Sequence, residues 1–157
     1  MKKLLLLALL VLGVSTFVQA QTQGKVRVAV YVSGDLSNNY KKIICTKAMT
    51  HISRSTTYVA VERSEEFLDV LMKEQDYEFS GEVRLDQIAT FGKRCGATYV
   101  LALDATCIDD VGFLTARLID TVSGKVKKSV DTNRKVSSIE DWIAMTNNVA
   151  FRIIPQK

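Results

Sequence analysis

The side chains with the most familiar catalytic chemistry in this chain of 157 residues are one histidine, His51, and three cysteines, Cys45, Cys95 and Cys107. A nucleophile activated by a histidine base would make a hydrolase, and any such pair must use His51. His51 lies near the end of a predicted helix, where an imidazole commonly interacts with the helix dipole. The sequence therefore favours a domain that is not an enzyme. A thiol- or histidine-dependent hydrolase that uses Cys45 or His51 is the alternative.

The chain contains the residue types that bind metals and phosphates, but these residues do not have the spacing that known metal and phosphate sites require. Zinc sites usually bring cysteines in close pairs, which this chain lacks. Asp109 and Asp110 occupy a predicted turn near Asp104, and no twelve-residue calcium loop surrounds them. The segment 33–35 follows the first strand but lacks the glycine and lysine pattern of a phosphate loop. We therefore expect no catalytic site, no metal and no cofactor.

A strip of basic residues near the carboxyl end is the first candidate for binding. It comprises Lys125, Lys127 and Lys128, with Arg134 and Lys135 after them. Lysines on an edge strand commonly prevent edge-to-edge pairing of sheets, which is one interpretation. The other is a docking strip for an acidic partner or an anionic envelope polymer.

Tyr77 and Phe79 are the second candidate for binding, because they are aromatic residues in a connector that continues through Ser80 and Gly81. Exposed aromatic side chains often anchor protein interfaces. Large aromatic side chains are also commonly buried, so a place beneath the neighbouring helix is the competing interpretation for at least one of them.

The first twenty residues have the pattern of a cleaved signal peptide. Lys2 and Lys3 precede the apolar run 4–12, and the segment ends in the small residues Val18 and Ala20. The run is shorter than the roughly 20 residues of a membrane-spanning helix. We therefore expect an exported, periplasmic or secreted chain that begins at Gln21. No cysteine lies near the cleavage point to carry a lipid, so no lipid anchor is expected.

Composition restricts the class of partner. The full sequence has 21 basic and 17 acidic residues, and two of the lysines lie in the predicted signal peptide. A charge balance this weak does not predict nucleic-acid binding. Residues 21–157 are enough for a single domain with one core. The odd number of cysteines allows at most one disulfide, whose pairing stays open, and we expect two or more buried free thiols.

The pattern of apolar residues predicts five strands and about four helices. Alternating or continuous apolar character marks the strands at 25–32, 57–61, 98–108, 113–121 and 125 to about 131. The helical spacing of apolar residues predicts one helix after Ser37 or Asn38 and a second after Ser64. A third predicted helix starts near Leu85 and ends at Gly96. A last helix opens at Ser137, with Glu140 as its capping partner.

Spacing along the helices also predicts which residues are buried. The expected core-facing stripes are Tyr40, Ile44, Ala48 and Ile52; Ile88, Phe91, Gly92 and Cys95; and Trp142, Met145, Val149 and Ile153. A helical crossover between the first two strands predicts that they are parallel. The last three strands form an antiparallel meander. The result is a single-domain α/β fold with a mixed five-stranded sheet in the order 2-1-3-4-5.

This order of elements and the residues at their joints resemble a known family. The motifs are the strand 26–32, Val61-Glu62-Arg63-Ser64, the segment 73–75, Phe91-Gly92-Lys93 and the segments 95–101 and 116–125. They resemble the domain shared by CsgG-type curli-secretion proteins, the lipoprotein activators of penicillin-binding proteins, and the TolB amino-terminal domain.

The resemblance implies a non-catalytic module of the bacterial cell envelope that binds an envelope protein partner. The motifs of the family maintain the fold and carry no active site. This chain lacks the lipidated cysteine of the anchored members and the long amphipathic hairpins of the pore formers. A self-associating structural subunit of an envelope assembly is a further alternative.

Overall fold

The computed structural model describes residues 24–61 and 85–156. The predicted signal peptide 1–20, the helix expected after Ser64, and Tyr77 and Phe79 lie outside the described residues.

The described residues form five strands and three helices. The strands are β1 (Val26–Gly34), β2 (Tyr58–Ala60), β3 (Tyr99–Ile108), β4 (Val111–Asp120) and β5 (Val126–Lys135). The helices are α1 (Asn38–Ser53), α2 (Leu85–Arg94) and α3 (Ile139–Ile153).

All five strands belong to one mixed sheet in the order β2-β1-β3-β4-β5, which confirms the predicted order. β1 pairs in parallel with β2 and with β3. β3, β4 and β5 pair antiparallel as the expected meander. The α1 crossover between β1 and β2 explains why these strands run in the same direction. The sheet order leaves β5 at one edge.

Helices α1 and α3 cover one face of the sheet. Ile44, Ala48 and Ile52 of α1 are fully buried there, as their spacing predicts. On α3, the whole predicted stripe of Trp142, Met145, Val149 and Ile153 is buried in the same cluster. This cluster is the larger core of the domain, and it extends along the sheet from β1 to β4.

Helix α2 packs on the opposite face, over β1 and β3. Its Ile88 and Phe91 are buried against Tyr31 and Val100. The rings of Tyr31 and Phe91 meet edge to face, with centroids 5.4 Å apart. Gly96 follows the helix with a φ of 63°, which confirms it as the residue that ends α2.

Two sequence-based predictions about the carboxyl-terminal third were wrong in detail. β5 continues to Lys135 rather than ending near Asp131, because Thr132 to Lys135 complete the ladder with β4. The capping pair of α3 is Ser138 with Asp141 rather than Ser137 with Glu140. The Asp141 carboxylate accepts hydrogen bonds from the backbone N–H groups of Ser137 and Ser138, at 2.9 and 3.3 Å.

Candidate functional site

Within residues 24–61 and 85–156, the outer side of β5 is a strand edge that pairs with no other strand. The backbone N–H of Val136, the residue after β5, donates to the carbonyl oxygen of Asp110 at 2.8 Å. The backbone groups of Val136 therefore point towards β4. Backbone groups of successive residues in a strand alternate in direction. The backbone groups of Ser129, Asp131, Asn133 and Lys135 therefore point away from β4. All four residues are exposed, and no strand among the described residues pairs with them.

A β-bulge lies at the beginning of β5. Leu118 pairs with Lys128, whereas the next residue of β4, Ile119, pairs with Val126. Lys127 is therefore the extra residue of β5 at this point. Because bulges twist a strand and interrupt its ladder, this bulge limits the regular part of the edge to the residues after it.

Acidic neighbours partly neutralise the basic strip. The Nζ atom of Lys127 lies 3.9 Å from a carboxylate oxygen of Asp120, and that of Lys135 lies 3.8 Å from one of Asp110. Arg134 of the strip pairs with Asp141, the capping residue of α3, at 3.1 Å.

The remaining two lysines of the strip, Lys125 and Lys128, are exposed and form no ion pair with a described residue. Lys128 lies opposite Leu118, a residue of the larger core, so its side chain is on the α3 side of the sheet.

The carboxylates of Asp120 and Asp141 hold the turns beside this edge. Hydrogen bonds from the backbone and the hydroxyl of Ser123 lower the pKa of Asp120, with a smaller contribution from Lys127. The backbone N–H of Ser137 is the main cause of the lowered pKa of Asp141. Both groups are therefore ionised near neutral pH and fix the two ends of β5.

Arg152 of α3 reaches the edge of β5 from the face of the sheet that α3 covers. Its Nη1 atom donates to the carbonyl oxygen of Asp131 at 2.9 Å. That carbonyl is one of the groups that point away from β4, so the guanidinium covers the middle of the edge. Arg152 could not be identified from the sequence, because its position in the last turn of a helix does not indicate a contact with β5.

The structure places His51 in a structural role. It lies in the last turn of α1 and is 8% exposed. The Nε2 atom is 2.9 Å from the carbonyl oxygen of Ile154, so Nε2 carries the proton and donates. Nδ1 then accepts from the amide nitrogen of Gln156 at 3.3 Å. Both ring nitrogens of His51 are engaged in holding the segment after α3.

None of the three cysteines forms a disulfide. Cys45 and Cys95 are partly buried beside the two clusters of the core, which agrees with their places on helical stripes. Cys107 is exposed near the end of β3, so the expectation of two or more buried thiols was wrong: Cys45 and Cys95 are only partly buried. Within the described residues, no group of three histidine, cysteine or acidic side chains could hold a metal ion.

Asp104 is separate from Asp109 and Asp110. Its carboxylate accepts from the hydroxyl of Ser33 at 3.1 Å and lies 4.0 Å from Arg117. Burial, assisted by the charge of Asp104, raises the pKa of Tyr31 to about 12. Asp109 has a φ of 46° in the hairpin between β3 and β4, which confirms the predicted turn.

The fold has counterparts among solved structures, although no family model and no curated protein matches the sequence. PelC from Paraburkholderia phytofirmans, solved as a dodecamer, has a TM-score of 0.54 at 13% identity, over 86% of this chain and 91% of PelC. A lipoprotein from Neisseria meningitidis has a TM-score of 0.52 at 15% identity, over 83% of this chain and 97% of the lipoprotein.

TolB from Acinetobacter baumannii scores 0.49 at 16% identity, over 83% of this chain and 28% of TolB. The likeness to PelC and to the neisserial lipoprotein shows that this chain shares their fold. The likeness to curli-secretion proteins and to activators of penicillin-binding proteins stays a prediction. Among the described residues, no helix has the length and apolar character needed to cross a membrane.

Proposed function

We propose that this domain is a non-catalytic, exported module of the bacterial cell envelope that binds another envelope protein at the edge of β5. The observation that carries the proposal is the exposed edge itself. The outward backbone groups of four β5 residues pair with no strand among the described residues, and Lys125 and Lys128 beside them have no carboxylate partner in that part of the chain. An exposed strand edge can accept an added strand from another protein, and the lysines beside it oppose strands of like charge.

Two further observations support a binding role over a catalytic one. His51, which any histidine-dependent hydrolase would need, is buried with both ring nitrogens engaged. The fold is also that of a neisserial lipoprotein and of PelC, although fold alone does not determine function. The signal-peptide pattern supports export, and the weak net charge does not favour nucleic acid as the partner.

Charge reversal on the basic strip tests this proposal. The variant carries Lys125→Glu, Lys127→Glu and Lys128→Glu, and the assay is crosslinked capture of partners from envelope extract. Changes to exposed side chains typically alter stability by less than about 0.5 kcal/mol each, so the fold should persist. We expect the variant to lose the partner that the parent protein captures, and capture by the parent to decrease as salt rises.

The matched control reverses the same number of lysines on helices α1 and α2, with Lys41→Glu, Lys47→Glu and Lys93→Glu. This variant has the same net charge as the first, but its changes lie away from β5. The control should capture the partner as the parent does. Equal capture by the strip variant and the parent at low salt would contradict the proposal, and Tyr77 and Phe79 would become the leading binding residues.

A second function, self-association as a structural subunit, is favoured by one comparison. PelC, whose fold this chain shares, was solved as a dodecamer. If this chain assembles in the same way, light scattering on purified residues 21–157 will give the mass of a closed oligomer at micromolar concentration. A monomeric mass would exclude self-association as its principal role at that concentration.

A further inference from the structure

We infer that the edge of β5 accepts an extended, acidic segment of the partner protein as a sixth strand, and that Arg152 selects for its acidic side chains. The inference rests on the proposed function and specifies the chemistry of the partner. It requires a strand edge that can form a ladder, cations placed to bind carboxylates, and a reason why a second copy of this chain does not occupy the edge.

The edge is long enough for a specific ladder. From Ser129 to Lys135 the strand covers about 20 Å at a rise of roughly 3.3 Å per residue. Every second residue in this interval offers an N–H and a carbonyl to an added strand. The bulge at Lys127 fixes where the regular edge begins, so an added segment has a defined register.

The cations on the α3 side of this edge favour an acidic segment. Lys128 lies on that side of β5, and Arg152 projects from α3 towards the carbonyl of Asp131. Neither cation has a carboxylate partner among the described residues. Because side chains of a strand alternate between its faces, carboxylates at every second position of an added strand would face Lys128 and Arg152 together.

The same charges oppose a second copy of this chain on the edge. The segment 125–135 contains five basic residues and one acidic residue, Asp131. Pairing β5 with β5 of another copy would place two basic strands side by side, and like charges across strands are destabilising. An acidic strand reverses the sign of that interaction.

Arg152 has a different hydrogen-bond partner in the free protein and in the complex. In the free protein its guanidinium donates to the carbonyl of Asp131, which would otherwise be exposed for pairing. When a strand is added, that carbonyl accepts the N–H of the partner, and the guanidinium is released to bind a carboxylate. Hydrogen bonds between arginine and a carboxylate are stronger than those to a neutral carbonyl, so the exchange favours an acidic segment.

The test uses a ten-residue peptide of alternating glutamate and threonine, and a second peptide with lysine in place of glutamate. Amide hydrogen exchange on the labelled protein reports which N–H groups become bonded. We expect the acidic peptide to slow exchange at Ser129, Asp131 and Asn133 by tenfold or more, with little change at Val130 and Thr132, whose amides already bond β4. The lysine peptide should produce no protection.

Substitutions at Asn133 separate backbone pairing from docking of side chains. Asn133→Pro removes an N–H that points away from β4, so the ladder with β4 remains. It should weaken binding of the acidic peptide at least tenfold, while Asn133→Ala, which keeps the N–H, should bind within about twofold of the parent. Arg152→Gln keeps a polar side chain with an N–H donor but removes the positive charge, and it should weaken binding of the acidic peptide several-fold.

Three outcomes would overturn the inference: no binding of the acidic peptide, binding without protection of the three amides, or equal binding by Asn133→Pro. The proposed function has a separate readout, since partner capture that is lost on charge reversal would stand even if the peptide fails. Loss of the inference and loss of the proposed function are therefore distinguishable.

Discussion

Replacement of His51 by alanine should destabilise the domain, because this side chain connects α1 to the segment after α3. The ring donates to the carbonyl of Ile154, which belongs to a fully buried residue, and accepts from Gln156. In His51→Ala that carbonyl has no donor. An unsatisfied buried acceptor costs about 1–3 kcal/mol.

The lost ring adds a second contribution. The imidazole is almost fully buried and meets the ring of Phe151 edge to face, with centroids 6.3 Å apart. Its removal leaves a void at the junction of α1 and α3, and large-to-small changes at such sites add to the cost. We expect a total loss of about 2–4 kcal/mol in the free energy of unfolding. That is a large fraction of the stability of a domain of this size.

Urea unfolding at neutral pH, followed by circular dichroism, measures this loss for His51→Ala and two companions. His51→Gln places an amide donor near the position of Nε2 and should recover part of the stability. Thr50→Ala removes only an exposed hydroxyl that bonds Thr46 within α1, so it should change stability by less than about 0.5 kcal/mol. A loss below about 1 kcal/mol for His51→Ala would refute the structural role and reopen the hydrolase alternative.

Three further predictions concern acid stability, thiols and processing. The pKa of Asp120 is lowered by folding, so its carboxylate stabilises the fold above about pH 4 and this stabilisation is lost as pH falls through the folded pKa. Asp120→Asn should therefore lose less stability than the parent between about pH 4 and pH 2, and equal losses in urea midpoints would contradict this. Cys45→Ala and Cys95→Ala should lower stability by about 1 kcal/mol without changing partner capture, whereas loss of a measurable activity after alkylation would contradict a structural role. Intact-mass analysis of the native protein should find a chain that begins at Gln21 without acyl groups, and a retained segment 1–20 or an attached lipid would show that the signal was misread.

The fold followed from the sequence where burial creates a strong pattern. The apolar stripes correctly predicted which faces of α1 and α3 are buried. The apolar character of β1 and β3 correctly placed these strands in the centre of the sheet. The end of β5 was missed because Thr132 to Lys135 are polar, and an edge strand with one solvated face leaves little apolar signal. The α3 cap shifted by one residue, since either serine can satisfy the first turn and local sequence does not choose between them.

The candidate site was only partly visible in the sequence. The lysines marked β5 as an edge, and the structure places β5 there. Contacts between distant segments gave no sequence signal. The hydrogen bond from Arg152 to Asp131 and that from His51 to Ile154 depend on how α3 lies against β5 and α1, and tertiary packing determines both.

Site-specific photo-crosslinking in the native envelope tests the central claim that a partner binds at the edge of β5. A photoreactive amino acid replaces Asn133, which is exposed on the outer edge, and in a control protein it replaces Thr50, which is exposed on α1. We predict a discrete adduct of one envelope protein from position 133 and none from position 50. An adduct from position 50 with none from position 133 would contradict the claim.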